Sequence, residues 1–153
     1  MSPRLLLSIL VAACVLTAQK YDGPKPSKPD LPYLKHGDTL LATEAVEAHV
    51  QRKKDDTVYT VDLAASPTRT PLAAPIFLFQ SGKINPANLQ LFQMQSKNGH
   101  RELTVRASDE PLRIEVGPLG GGLYKIEPYD GLDAGEYALL ASGTNQVFCF
   151  AVF

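Results

Sequence analysis

Few side chains in this sequence of 153 residues have types suited to chemistry: three histidines (His36, His49 and His100), two cysteines (Cys14 and Cys149), and a group of acids late in the chain. The histidines fall in a Pro-rich stretch, an alternating stretch and a turn, and no pair has metal-ligand spacing. Surface placement is the expectation for each. Asp130, Asp133 and Glu136 lie close together and, with backbone carbonyls, have the chemistry of a calcium site. Their spacing matches no calcium loop, and Asp is a common turn former. The same acids with His100 are the candidates for a hydrolytic site, although nothing in the sequence brings them together. There is no Gly-x-Ser-x-Gly elbow and no His-Glu-x-x-His. Gly120-Gly121-Gly122 lacks the Lys-Ser/Thr and the helix that a phosphate loop needs, so it reads as a turn. Ser81-Gly82-Lys83 reads the same way. Cys149, set among Phe148, Phe150 and Val152, reads as a buried inert thiol. The expectation is no enzyme, no cofactor and no metal.

The N-terminus has an address. Arg4 is followed by an apolar run from Leu5 to Leu16 broken by Ser8, then by small Thr17-Ala18 and polar Gln19-Lys20. The run is shorter than the roughly 20 residues a bilayer-spanning helix needs, and the pattern fits a signal peptide over residues 1–18. Val11-Ala12-Ala13-Cys14 resembles a bacterial lipobox, which would make Cys14 a lipidation site. The apolar Val15-Leu16 after it favours release after Ala18, with a lipid-anchored form as the alternative. Either route implies an exported protein, periplasmic or extracellular, with no membrane contact beyond the signal segment or a lipid on Cys14.

Loss of residues 1–18 removes Arg4 from the 15 basic residues and none of the 16 acids, taking the net charge from −1 to −2. No basic stripe appears, so nucleic acid is excluded as a partner. With Cys14 removed or lipidated, Cys149 stands alone and no internal disulfide is expected.

The elements that must position these groups read as strands. Residues 19–38 form a Pro-rich tail, whose prolines favour an extended path and oppose central-strand pairing. Leu31, Tyr33 and Leu34 suit docking on its own domain or a neighbour's. Strand signals fill residues 39–153: Thr43 to Gln51, Thr57 to Val61, Ile76 to Phe79, Leu89 to Ser96, Arg101 to Ala107, Leu112 to Val116, Leu123 to Glu127, Glu136 to Ala141 and Val147 to Phe153. Asn98-Gly99 is a strong hairpin signal. Eight or nine short strands indicate an all-β sandwich or barrel; a membrane barrel is excluded by strands shorter than about 9–11 residues.

Leu132-Asp133-Ala134-Gly135-Glu136-Tyr137 resembles the tyrosine corner of immunoglobulin-like and fibronectin-like sandwiches, with Leu132, Gly135 and Tyr137 as the matching residues. The resemblance implies an immunoglobulin-like antiparallel β-sandwich in which the Tyr137 hydroxyl bonds upstream backbone. The absence of Trp and of a cysteine pair separates it from antibody domains. The fold carries no function by itself. The leading expectation is a non-enzymatic exported module that binds an envelope or extracellular protein or glycan, or builds a structure. The alternatives are a surface-assembly subunit using strand addition, and a hydrolase whose site is not visible in sequence.

Overall fold

Burial alternates along Thr39–Ala42 and Glu44–Glu47 but covers both faces of Gln146–Val152. A computed structural model describes residues 20–153; the signal segment, Cys14 and the Ala18–Gln19 junction lie outside the described residues. The strands are β1 Pro32–His36, β2 Thr39–Ala42, β3 Glu44–Glu47, β4 His49–Lys53, β5 Asp56–Asp62, β6 Arg69–Thr70, β7 Phe77–Gln80, β8 Leu89–Lys97, β9 His100–Arg106, β10 Ile114–Gly120, β11 Leu123–Pro128, β12 Gly135–Ala141 and β13 Gln146–Val152, with one 3-10 turn at Pro86–Asn88. Almost all pairing is antiparallel, β6 with β13 being parallel. The architecture is an all-β, sandwich-like pair of sheets.

The first sheet has five strands in the order β10-β11-β7-β1-β2. The second runs β3-β13-β12-β8-β9-β5-β4, with β6 added beside β13. Its two end strands are consecutive in the chain, separated by Ala48 alone, so one bent strand supplies both ends and closes the path into a ring. Ala48 N–H leaves the ladder to donate to Asn145 O at 2.9 Å. A stretch that reads as one strand, Thr43 to Gln51, is therefore two. Thr43 carries the chain from one sheet to the other, its N–H and hydroxyl both donating to Pro32 O at 3.0 and 2.8 Å.

Two cores follow from this layout. Leu34, Phe77, Phe79, Leu91, Ile126, Leu139, Phe148 and Phe150 fill the space between the sheets. Val61, Phe92, Met94, Leu103, Leu140, Val147 and Cys149 fill the ring. Strands β8, β12 and β13 wall both spaces, so both of their faces are apolar. This is why Phe148-Cys149-Phe150-Ala151-Val152 shows no polar alternation. Phe150 anchors the first core, 4.9 Å edge-on to Phe77 and 5.6 Å stacked on Tyr137.

The Pro-rich segment departs from expectation. Residues 32–36 form β1, a central strand paired with β2 on one side and β7 on the other. Pro32 is the first residue of the strand, where a missing N–H costs no interior ladder bond. Tyr33 and Leu34 are buried, so the segment docks on its own domain. Ahead of it Asp30, at φ 58°, accepts from the N–H groups of Gly82, Lys83 and Ile84 at 2.8 to 3.0 Å. The Ser81-Gly82-Lys83 turn is thus an anchor for the incoming chain. These bonds outweigh partial burial and hold the Asp30 carboxyl below its usual range.

Candidate functional site

The acids weighed as a calcium or hydrolytic cluster are not brought together. Asp130 and Asp133 lie exposed in the turn before β12, while Glu136, at the start of β12, faces the ring. His100 lies at the β8–β9 turn, its ring 3.5 Å from Glu102. His36 bonds the Thr70 hydroxyl at 2.9 Å, and His49 is exposed on β4. Among the described residues, no group of three or more His, Cys, Asp or Glu side chains is placed to hold a metal ion.

The corner motif is built as a clamp. Leu132 is buried, and its N–H donates to Ala73 O at 2.7 Å. Tyr137 Oη donates to the backbone carbonyl of Asp133 at 2.8 Å, so Asp133 serves through its main chain. A Cβ at Gly135 would lie 2.9 Å from Gln93 Nε2, the end of a flexible side chain that can move aside. Burial, with Asp133 adding to it, pushes the Tyr137 phenol above its ordinary value.

The charged groups that the structure does assemble lie inside the ring. Arg101 is fully buried. Its Nη2 donates to Glu44 Oε1 at 2.6 Å and to Asp62 O at 2.9 Å, and its Nε to Leu63 O at 3.0 Å. Glu136 accepts from Ser66 N–H at 3.1 and 3.2 Å, and Ser96 Oγ donates to Ala64 O at 2.6 Å. The bonds to Leu63, Ala64 and Ser66 tie the segment between β5 and β6 across the mouth of the ring, and the bond to Asp62 holds the end of β5. Burial works against the Arg101 charge, but its bond to Glu44 and the nearby Cys149, Glu44 and Glu136 hold its pKa above the ordinary value. Burial raises Glu136, against the Ser66 bond and Arg101. Burial also pushes the Cys149 thiol up to about 12, and its Sγ sits 4.0 Å from Met94 Sδ. A thiol so protonated is a poor nucleophile.

Sequence reading missed Arg101 and Glu44, although strand parity carried the signal. Arg101 shares a face with Leu103 and Val105, and Glu44 shares one with Val46 and Ala48, so both point inward with apolar neighbours.

The surface offers three recesses of note. Lys20, Tyr21, Lys25 and the Gly120-Gly121 turn line about 250 Å³. Strands β8 and β9 pair only at Gln95, Ser96 and Lys97 and then part, leaving a polar recess of about 230 Å³ between Gln93 and Arg106. The third, about 430 Å³, lies on the flank where the chain enters β10, lined by Leu89, Pro111, Leu112, Arg113 and Ile114. Leu112 there is 41% exposed, and Arg113 stacks on the exposed Tyr129 ring at 3.6 Å.

These features define the class of protein as an all-β, sandwich-like domain. Compared with known proteins, the chain matches no family model, no curated protein and no solved structure.

Proposed function

We propose that this is an exported, non-enzymatic binding module of the immunoglobulin-like class, holding an envelope or extracellular protein. The N-terminal signal pattern supports export. The Tyr137 bond to Asp133, followed by a single closing hairpin, supports the immunoglobulin-like assignment. One observation carries the binding reading: Arg101 and Glu136 bind the chain around the end of β5 and Cys149 is buried in the ring, whereas the surface presents an open strand edge beside an apolar recess. Residues 20–38 are not the donor strand of an assembly in this reading, because residues 32–36 already complete their own sheet.

The test is capture from envelope and extracellular extracts on the immobilised protein. The expected result is a saturable protein partner. Failure to retain any partner, together with turnover of a hydrolytic substrate panel, overturns the proposal. Retention of glycan in place of protein would redirect it to a carbohydrate ligand.

A further inference from the structure

Among the described residues, strand β10 ends the first sheet and its ladder runs to β11 alone. In an antiparallel pair, successive residues turn their backbone groups to opposite sides. Tyr129 N–H donates to Arg113 O at 2.8 Å on the β11 side, and Leu112 N–H donates to Leu91 O at 2.8 Å on the other. Even-numbered residues therefore face away from β11, leaving the N–H and C=O of Ile114 and Val116 along the open edge. Pro118 has no N–H, and the register shifts between Pro118 and Gly120, so the usable edge stops there. Such an edge is a template for one short strand.

The side chains restrict what that strand can be. Ile114 and Val116 pack against the main core. Glu115 points the other way, exposed and directly opposite Glu127 across the β11 ladder. Lys125 pairs with Glu127 at 2.9 Å, and Glu115 has no ion-pair partner among the described residues. Like charges placed opposite each other destabilise a sheet. A second copy of β10 is therefore a poor occupant: the register that satisfies both Ile114 and Val116 sets Glu115 against its own copy.

Resting on the binding reading above, we propose that the Ile114–Gly117 edge takes an extended peptide of apolar–basic–apolar sequence by strand addition. The basic residue sits opposite Glu115. The apolar residues sit opposite Ile114 and Val116, one of them over the recess lined by Leu89 and Leu112.

The test measures fluorescence anisotropy of labelled Thr-Val-Lys-Val-Thr and Thr-Val-Glu-Val-Thr with the protein and its variants. The lysine peptide binds about tenfold tighter to the wild type, and Glu115→Lys reverses the preference. Val116→Pro deletes an edge donor and abolishes binding of both; if it does not fold, the charge reversal alone decides. Equal binding of the two peptides, no binding of either, or self-association of the wild type through β10 overturns the proposal. Extract capture separates the two readings. A partner held equally by wild type and Glu115→Lys refutes the edge and leaves the binding module; no partner for either, together with hydrolytic turnover, refutes the module.

Discussion

The two sheets solve the same problem in opposite ways. A β-sheet must do something with its edges, because unpaired N–H and C=O groups invite uncontrolled pairing. The second sheet removes the problem by closing at Ala48, and its interior then holds a buried cation, Arg101. The first sheet stays open and blunts its ends: β2 is four residues long, with Thr68 Oγ1 donating to Ala42 O at 3.0 Å, and β10 ends in Pro118 and a bulge. Closure buys rigidity and spends the charged groups inside. Openness leaves a few residues of backbone free for something else. Stability should therefore respond most to changes in the closed sheet and its mouth, and recognition to changes in the open one.

The sharpest way to break this contrast is Arg101→Ala. It leaves the Glu44 carboxylate without its partner in a largely buried setting and frees the carbonyls of Asp62 and Leu63. Breaking one side of a buried pair costs about 3–5 kcal/mol. Denaturant unfolding should show that loss, and Glu44→Leu combined with Arg101→Leu should recover part of it. A loss no larger than that of an exposed pair such as Lys97–Glu102 would mean the ring does not depend on its polar mouth.

The open sheet has its own staple, and its loss should be smaller. Asp30→Ala removes the acceptor of three backbone N–H groups and should cost about 1–2 kcal/mol, as loss of a side-chain cap does. Because the folded Asp30 pKa lies below the ordinary 3.8, its contribution is complete above that value and disappears as pH falls through the folded pKa. An acid titration of stability should lose that component in Asp30→Asn. Tyr137→Phe tests the corner, deleting one bond to a backbone carbonyl at a cost of about 1 kcal/mol. Neither change should alter peptide binding at β10.

How far the sequence revealed these features depends on range. Local signals were readable: Asn98-Gly99 as the hairpin turn (φ 48° and 81°), the apolar β12–β13 hairpin, and Tyr137 after its glycine. What depended on long-range pairing was not. Pro32 looked like a bar to a central strand because proline removes a donor, but at the first position of β1 no donor is needed. The split at Ala48 was hidden because Thr43 to Gln51 reads as one alternating stretch, and only pairing with two distant strands shows where it bends. Asp130, Asp133 and Glu136 are neighbours in sequence, yet strand parity sends Glu136 into the ring and leaves the others in the turn. Its real companions, Arg101 and Glu44, are distant in the chain and carried only the parity signal.

Glu136 gives the smallest predicted effect and the most specific one. Burial raises its pKa above the ordinary 4.5, while the Ser66 N–H and Arg101 pull the other way. Between the ordinary and the raised value, the folded protein holds a proton that the unfolded chain has released, so stability falls as pH rises through that window. Glu136→Gln keeps an oxygen for Ser66 and cannot ionise. Its stability should match the wild type below the window and exceed it above, with the slope between them gone. Asp30 slopes the opposite way at lower pH, so one titration of wild type, Asp30→Asn and Glu136→Gln separates the anchor of the open sheet from the mouth of the closed one. A wild-type slope that survives in Glu136→Gln would show that Glu136 is not the titrating group and would break the link between the slope and the mouth of the ring.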